Sequence, residues 1–319
     1  MVRPLRIEYP GAWYHVMNRG AQRRAIVEGD ADRACFEDVL GATSERFRVE
    51  VHAWCLMANH YHLMVRTPEG NLGRAMRHLN GVYTQHFNRR HGRDGALFRG
   101  RYKAVLVEAQ AYWTHLSRYV HRNPLEAGAV AELSAYPWSS YPAYVGKAAR
   151  PKWLVTDAVL ERFGDGAAYR RFVEDPEGEP EIASFYAGPG HPSILGSEAF
   201  TERVLADRPE DPEVAELGRL RRRPTAAQIL EAVARYYGVS VTDLKRPVRG
   251  RGVRTPARGM AMYLCQEQAG WTLRPIAQLF GLSASGSAGA AIRNVRMRVN
   301  AGDGGLGQDL NMILHDLTP

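Results

Sequence analysis

Apolar residues recur at two different spacings along the first 122 positions of the chain, and each spacing predicts one kind of secondary structure. Alternation with a period of two predicts strands, whereas apolar residues three and four positions apart predict helices. Strands are predicted over residues 13–18, 49–57, 61–66 and 102–108, and helices over residues 30–46, 71–89 and 111–122. The order of these elements is therefore β-α-β-β-α-β-α.

This order is that of a split β-α-β unit. It predicts an α+β, ferredoxin-like domain whose sheet carries its helices on one face. Asp30 is expected to cap the first helix, whose inward positions include Ala34 and Phe36. The last helix is expected to stop at Asn123, because Pro124 has no N–H group and its ring clashes with the preceding turn.

The rest of the chain has a different pattern. Two short helical patches, over residues 156–163 and 167–174, precede a connector rich in Pro and Gly. From Thr225 onwards the spacing is helical throughout, and residues 272–280, Gly281 and residues 283–299 have the pattern of a helix-turn-helix. We therefore expect a catalytic domain over 1–149, a helical extension with an acidic linker over 150–217, and an all-α DNA-binding domain over 218–319.

Composition restricts the class of protein. The chain has 319 residues, of which 45% are hydrophobic, so it is long enough for two globular domains. Its three cysteines are too few and too scattered for a disulfide framework or a cysteine zinc site. No run approaches about 18 apolar residues, and the first residues lack the apolar core of a signal peptide. We expect a cytoplasmic protein with no membrane partner.

Positive charge is concentrated in one segment. Residues 219–258 contain 11 Arg and Lys against two acids, a charge of +9, although the whole chain carries only +8. The preceding stretch, from Glu174 to Glu216, is rich in acids, which marks a boundary near residue 217. The basic segment predicts contact with nucleic acid, for which Arg251, Arg254 and Arg258 are candidate residues.

Two histidines stand one residue apart in the third predicted strand. Alternate side chains of a strand share a face, so His60 and His62 point the same way with Cα atoms about 6–7 Å apart. Two imidazoles at that separation can bind one divalent metal ion. The spacing is weak support by itself, because the 11 histidines of this chain give about 0.4 such pairs by chance.

Tyr119 and Asn123 stand four residues apart on the last helix of the first domain, and therefore on one face of it. They could present a phenolic nucleophile and a third metal ligand to one point, which suggests chemistry on a phosphodiester. A site with nitrogen and oxygen ligands and open positions suits Mg²⁺ or Mn²⁺. Other tyrosines could be nominated by proximity, and Asn123 could instead be a helix C-cap. The alternative tyrosines are Tyr61, Tyr102 and Tyr112.

Four segments carry a family resemblance: His15–Gly20, Asn59–His62, Phe98–Lys103 and Arg118–Pro124. In that order they resemble the single-tyrosine HUH transposases and, within them, the REP-associated tyrosine transposases. The resemblance covers residues 4 to about 145 and continues less specifically to about residue 207. The insertion-sequence relatives carry glutamine where this chain has Asn123, and the shorter amide is typical of the REP-associated branch.

The resemblance implies a reaction and a substrate. Tyr119 would attack single-stranded DNA, leaving a 5′-phosphotyrosine and a free 3′-hydroxyl, with a divalent metal held by His60, His62 and Asn123. The substrate would be a short DNA hairpin. Four basic residues are candidate contacts to its backbone. These are Arg19, Arg99, Arg101 and Lys103.

The C-terminal region resembles the DNA-binding domain of the bacterial replication initiator DnaA. The matching segments are Val233–Tyr237, Pro256–Arg258, Ala261–Leu264 and Phe280–Gly281. That family reads base edges with an Asp-His-Thr-Thr stretch, which aligns here with residues 284–287, Ala-Ser-Gly-Ser. We therefore expect a target other than the initiator's own site.

Two other functions fit the same residues. One is a non-catalytic DNA-binding regulator, which would lack a ligand or the nucleophile. The other is a metal-dependent phosphoesterase that uses water, with Tyr119 only structural. A transposase of the three-carboxylate type is disfavoured, because no Asp or Glu accompanies the histidines. The sequence leaves open whether His15, Asn18 and Arg19 pack in the sheet or contact DNA. It also leaves open whether the protein is a monomer or a homodimer with Tyr119 serving a partner.

Overall fold

The structure is a computed structural model that describes residues 6–176, 182, 185–186, 193–206, 223–246, 256–302 and 304–317. The chain divides into two compact units. The first contains the described residues between 6 and 176 together with residues 193–196. The second contains residues 182 and 185–186 and the described residues from Ser197 onwards.

The first unit follows the predicted order of elements. They are β1 (Ala12–Arg19), α1 (Asp30–Phe47), β2 (Glu50–Leu56), β3 (His60–Thr67), α2 (Leu72–His91), β4 (Lys103–Val107) and α3 (Ala109–Glu126). The strands lie in the order β2-β3-β1-β4-β5, in which β5 (Ile194–Leu195) adds a short parallel edge strand beside β4. The α+β, ferredoxin-like arrangement of the first four strands is therefore confirmed.

Helices cover both faces of the sheet, so the prediction that they share one face was wrong. Consecutive residues of β3 point in opposite directions. The Tyr61 ring lies 5.2 Å from that of Phe36 in α1, whereas the His62 ring lies 5.8 Å from that of Tyr119 in α3. Tyr83 of α2 contacts Phe36 on the first face. α3 follows the last strand of the split unit, so the β-α-β order does not decide which face it covers.

Helix α3 continues for two residues beyond Pro124, so the prediction that it stops at Asn123 was also wrong. Pro124 cannot donate a hydrogen bond to the carbonyl of Val120. The Asn123 Nδ2 atom lies 3.5 Å from that oxygen and donates to the Tyr119 carbonyl at 2.8 Å. This amide compensates locally for the missing N–H. The C-cap is Ala127 and not Asn123.

The start of α1 also differs from the prediction. Gly29 is the N-cap and Asp30 is the first helical residue, with no side-chain cap at this end. The carboxylate of Asp32 accepts the N–H of Glu28 instead, at 2.8 Å. Phe36 is buried as predicted, whereas Ala34 is exposed.

Residues 139–174 belong to the first unit, and they include the two helical patches predicted over 156–163 and 167–174. They form α4 (Tyr141–Tyr144), α5 (Asp157–Leu160) and α6 (Gly166–Glu174). Leu154 bridges to Val51 at the free edge of β2. The Trp153 ring lies so close to Gly41 in α1 that a Cβ at that glycine would be 2.6 Å from it. The compact unit therefore extends past the predicted boundary at residue 149, and β5 adds residues from beyond 190.

The second unit is helical, as predicted. Its described elements are α7 (Glu198–Ala206), α8 (Ala226–Tyr237), α9 (Val241–Lys245), α10 (Pro256–Glu267), α11 (Leu273–Leu279), α12 (Ser285–Asn300) and α13 (Gly304–Leu317). Helix α8 begins with a capping box between Thr225 and Gln228 and ends at Gly238, which has a φ of +65°. Helices α11 and α12 form the predicted helix-turn-helix around Gly281. No helix among the described residues is both long and apolar enough to span a bilayer.

Candidate active site

His60 and His62 lie on the face of β3 that α3 covers. Their rings are 5.1 Å apart between centroids and nearly perpendicular, at 86°. In the sheet, His62 is paired with Met17 of β1 and His60 with Arg19. The prediction that both imidazoles point the same way agrees with this register, because directly paired residues share a face.

The environment of these histidines keeps them neutral. Burial and, to a lesser extent, the positive charge of Arg19 lower the pKa of His60 to about 4, against a hydrogen bond with Asn123 that raises it. Burial also lowers the pKa of His62, helped by His15 and His60. Neutral imidazoles have the lone pairs that a metal ion needs.

His15 completes this cluster, and its role was left open by the sequence. It is fully buried in β1, and its Nε2 atom lies 2.8 Å from His62 Nδ1. That hydrogen bond leaves Nε2 of His62 as the nitrogen available to a ligand. A histidine ligand is usually oriented in this way by a partner on its other ring nitrogen. The position of His15 at the start of the first motif was the only signal in the sequence.

Tyr119 packs edge-on against the cluster from α3. Its ring centroid is 5.8 Å from that of His62 and 5.7 Å from that of His15. Burial raises the pKa of its phenol, the negative charge of Glu126 raises it further, and Arg19 opposes the rise. The phenol is therefore protonated at neutral pH, and positive charge near its oxygen favours ionisation.

The other nominated tyrosines are less accessible. Tyr61, Tyr102 and Tyr112 are each no more than 8% exposed. Tyr61 faces away from the histidines and donates its hydroxyl to Asn80 at 2.9 Å. Of these four tyrosines, Tyr119 is the one whose ring contacts the ring of His62.

Asn123 faces His60 with its amide oxygen. Its Nδ2 atom donates to the Tyr119 carbonyl, so the side-chain hydrogen bond that raises the pKa of His60 is accepted by the oxygen. His60 Nδ1 lies 2.7 Å from Asn59 Oδ1. A neutral His60 has one N–H for two acceptor oxygens, those of Asn59 and Asn123. When Nδ1 donates to Asn59, a lone pair on His60 Nε2 and one on Asn123 are left facing the same space.

The candidate metal ligands are two histidines and an amide, namely His60, His62 and Asn123. Among the residues that the structure describes, no group of three or more His, Cys, Asp and Glu side chains is arranged to hold a metal ion. The opposed lone pairs of His60 and Asn123, and the oriented ring of His62, nevertheless fit a cation with mixed nitrogen and oxygen ligands.

Of the predicted DNA contacts in the first unit, Arg19 lies closest to the chemistry, since its charge shifts the pKa of His60, His62 and Tyr119. Arg99 is beside it, because its N–H donates to the Arg19 carbonyl at 2.8 Å. Arg101 and Lys103 are exposed, and Lys103 pairs with Met17 in the sheet. The structure brings Arg19 and Arg99 to the histidine cluster, and their contact with DNA stays a prediction.

The predicted contacts in the second unit have a different outcome. Arg251 and Arg254 lie outside the described residues. Arg258 is half-buried in α10, and its guanidinium donates to the carbonyls of Leu244, Arg246 and Phe280. This arrangement joins α9, α10 and the turn of the helix-turn-helix, so it gives Arg258 a structural role and weighs against a contact with DNA.

Two sequence families match the chain. Residues 8–123 match the family described as "Transposase IS200 like". This match lies within the first unit. Residues 226–295 match the family "Bacterial dnaA protein helix-turn-helix", so both resemblances read from the motifs are confirmed. The match to the transposase domain includes all four residues of the candidate catalytic set and ends at Asn123, before α4.

Individual relatives of the transposase domain are distant. A Haemophilus influenzae protein provisionally named as a REP-associated tyrosine transposase is 27% identical over 119 residues, which are 33% of this chain and 66% of that relative. The chain thus spans slightly less than two thirds of that protein.

Two solved structures are similar at lower identity. One, a REP-associated tyrosine transposase bound to a REP hairpin, is 18% identical with a TM-score of 0.40, covering 49% of this chain and 93% of its own. The other, a provisionally named transposase from Deinococcus radiodurans, is 16% identical with a TM-score of 0.27, covering 36% and 93%.

Proposed function

We propose that this protein cleaves and rejoins single-stranded DNA through a covalent bond to Tyr119, with hairpin DNA as its substrate. The observation that carries the proposal is the contact between the Tyr119 and His62 rings within one chain, 5.8 Å between centroids. The ring of the candidate nucleophile thus packs against His62, whose neighbour His60 is hydrogen-bonded to the Asn123 amide. Because this arrangement forms within a single chain, it supports cleavage by Tyr119 of its own subunit.

His60, His62 and Asn123 would hold the divalent cation, Mg²⁺ or Mn²⁺. When bound, the cation would polarise the oxygens of the scissile phosphate and offset the charge that develops on them. His15 would keep the His62 ring in place through the 2.8 Å hydrogen bond. Asn59 would do the same for His60 at 2.7 Å.

In the reaction, the Tyr119 oxygen forms a bond to phosphorus while the bond from phosphorus to the 3′-oxygen breaks. The phenol gives its proton to solvent, and the departing 3′-oxygen takes one, so a 3′-hydroxyl and a 5′-phosphotyrosine result. A phenol with a pKa of about 10 leaves more readily than an alkoxide, so the same bond can be reversed by another 3′-hydroxyl. Arg19 would stabilise the phenolate by its charge.

The DNA substrate is supported by the transposase family and by the basic residues beside the cluster. The relative that is named as a REP-associated tyrosine transposase, 27% identical, is consistent with a hairpin substrate. Arg19, Arg99, Arg101 and Lys103 would contact the phosphate backbone and position the strand without reading bases.

A covalent-adduct assay tests the proposal. The full chain is incubated with Mn²⁺ and 3′-labelled hairpin oligonucleotides taken from the DNA that flanks its coding sequence. A labelled adduct that survives denaturation is expected in the parent and in Tyr112→Phe, a matched control on the same helix, and is expected to be absent in Tyr119→Phe.

The other outcomes identify the rival functions. Cleavage that persists in Tyr119→Phe would mean that water is the nucleophile. DNA binding without cleavage in the parent would indicate a non-catalytic regulator. Either result would overturn the covalent mechanism.

The second unit is proposed to add DNA affinity through its helix-turn-helix and the basic segment over residues 219–258. Deleting residues 218–319 should weaken binding and reduce the slope of log affinity against log salt, by about 0.9 for each duplex phosphate that this region neutralises. An unchanged slope would show that the segment is not a DNA-binding surface.

A further inference from the structure

A basic cleft lies on the face of β3 that is opposite to His60 and His62. It has a volume of about 590 Å³, within the roughly 300–1,000 Å³ of ordinary ligand sites, and it opens between the first half of α2 and the loop before β4. Six of its lining residues carry hydrogen-bond donors. They are Arg6, Arg74, Arg77, Asn80, Arg101 and Tyr102.

The functional groups named in this cleft are mainly hydrogen-bond donors, and the Tyr102 hydroxyl can accept as well as donate. Asn80 Oδ1 already accepts the Tyr61 hydroxyl at 2.9 Å, so the amide has its N–H groups left. The four guanidiniums have donors only. The acid at this end of α2, Glu8, is held by the Gly73 N–H, with both carboxylate oxygens at 3.1 Å. A ligand that fits must therefore be rich in acceptors and negatively charged.

The Tyr102 hydroxyl is a second, independent indication of a ligand. Tyr102 is 8% exposed, and its buried hydroxyl has no hydrogen-bond partner among the described residues. The Arg6 guanidinium carbon lies over its ring, 4.4 Å from the centroid. A buried hydroxyl without a partner costs about 1–3 kcal/mol, which an acceptor atom of a ligand would recover.

The cleft and the catalytic cluster lie on opposite faces of β3. Tyr61 stands between His60 and His62 in the chain, faces α1, and reaches the cleft through Asn80. The cleft therefore cannot be part of the site at which Tyr119 attacks. A strand held there would be a different stretch of the same DNA.

We propose that this cleft is a second DNA site, which binds the phosphodiester backbone of an unpaired nucleotide outside the linkage that Tyr119 attacks. Guanidiniums bind phosphate oxygens in pairs, and the Tyr102 hydroxyl and Asn80 amide supply donors for a third and fourth acceptor. The inference rests on the proposed function for the identity of the nucleic acid, because the cleft itself specifies only an acceptor-rich anion.

Binding without cleavage separates this inference from the chemistry. The full chain carrying Tyr119→Phe is titrated in EDTA with a fluorescein-labelled single-stranded oligonucleotide, and anisotropy is followed over a range of salt. Adding Arg74→Gln and Arg77→Gln should weaken binding about tenfold or more, equivalent to 1.4 kcal/mol. The salt slope should fall by about 1.4, which is about 0.7 for each of two single-strand phosphates.

The matched control removes two charges elsewhere in the same unit. Arg48→Gln with Arg89→Gln takes away one arginine that is paired with Glu69 and one exposed arginine at the far end of α2. Affinity and slope should stay within about twofold of the parent. Equal losses of affinity in the two double variants would mean that the cleft arginines act only through general surface charge, and this would overturn the inference.

Tyr102→Phe is expected to change the stability of the protein and its affinity for DNA in opposite directions. Removing an unpartnered hydroxyl should raise the melting temperature of the free protein, and it should weaken oligonucleotide binding by several-fold. A variant that is more stable and binds as well as the parent would show that the hydroxyl meets no ligand. Because no cleavage is measured, an absence of covalent adducts would overturn the proposed function while leaving these binding results intact.

Discussion

Histidines are buried against both sides of helix α3, but their hydrogen bonding differs between the two sides. On one side, Tyr119 and Asn123 meet the histidines of the sheet, where His60 has one N–H for two acceptor oxygens, those of Asn59 and Asn123. On the other side, His121 is fully buried, and both of its nitrogens have partners, Tyr169 at 2.7 Å and Ser140 at 2.6 Å.

This difference distinguishes a site from a scaffold. Buried polar groups in proteins are normally satisfied, and a satisfied network fixes one conformation. The network around His121 continues from Tyr169 to Ser117, and Arg118 and Arg122 bind carbonyls at the end of α6. On the side facing the sheet, the single N–H of His60 cannot satisfy both amide oxygens, so lone pairs of His60 and Asn123 are available to a cation. The scaffold side thus holds Tyr119 over the histidines.

The largest expected effect is on the side facing the sheet. His62→Ala should reduce adduct formation about a thousandfold, because a ligand that contributes to several kcal/mol of transition-state stabilisation is lost. DNA affinity measured in EDTA should stay near that of the parent. His86→Ala, an exposed histidine of α2, is the control. Equal rates in His62→Ala and the parent would remove the metal from the mechanism.

His15→Gln tests whether the sheet side is preorganised. Loss of the hydrogen bond to His62 should lower the affinity of the free protein for Mn²⁺ by about 10- to 100-fold, the usual cost of removing such a partner. Mn²⁺ binding can be followed by electron paramagnetic resonance without DNA. Met17→Leu, on the same strand, should bind Mn²⁺ as the parent does. An unchanged affinity in His15→Gln would mean that His62 needs no support.

The scaffold side should respond in stability and not in chemistry. His121→Phe removes two hydrogen bonds and should lower the free energy of unfolding of the first unit by about 2 kcal/mol, as measured in urea. Adduct formation per folded molecule at low temperature should change little. A thousandfold loss of adduct in a variant that remains folded would erase the contrast between the two sides.

The smallest effect is a dependence of stability on pH. Burial lowers the pKa of His121 to about 3, below its ordinary value of 6.5. The unfolded chain therefore takes up a proton first, and stability is lost as pH falls from about 6.5 towards 3. Each such histidine contributes at most about 1.4 kcal/mol per pH unit. Urea midpoints from pH 7 to 5 should fall less steeply in His121→Phe than in the parent, and parallel slopes would contradict this assignment.

Several positions show how far the sequence could go. The spacing of His60 and His62 and the offset from Tyr119 to Asn123 are properties of a strand and a helix, so they could be predicted. The end of α3 could not, because the amide of Asn123 replaces the hydrogen bond that Pro124 loses. Helix α13, with Leu306, Leu310 and Ile313 at helical spacing, was covered only by the general prediction of helical spacing after Thr225, although its bounds were within reach of the same reasoning.

Local periodicity by itself determined most of the elements and their order, because side-chain direction repeats with the backbone over a few residues, and the sequence motifs nominated the candidate catalytic residues. Only the tertiary structure decided that α3 lies opposite α1 and α2, that His15 supports His62, and that residues 139–174 hold α3 in place. Those facts depend on interactions between residues tens of positions apart, and the energy of such interactions comes from packing and hydrogen bonds that leave no periodic trace in the sequence.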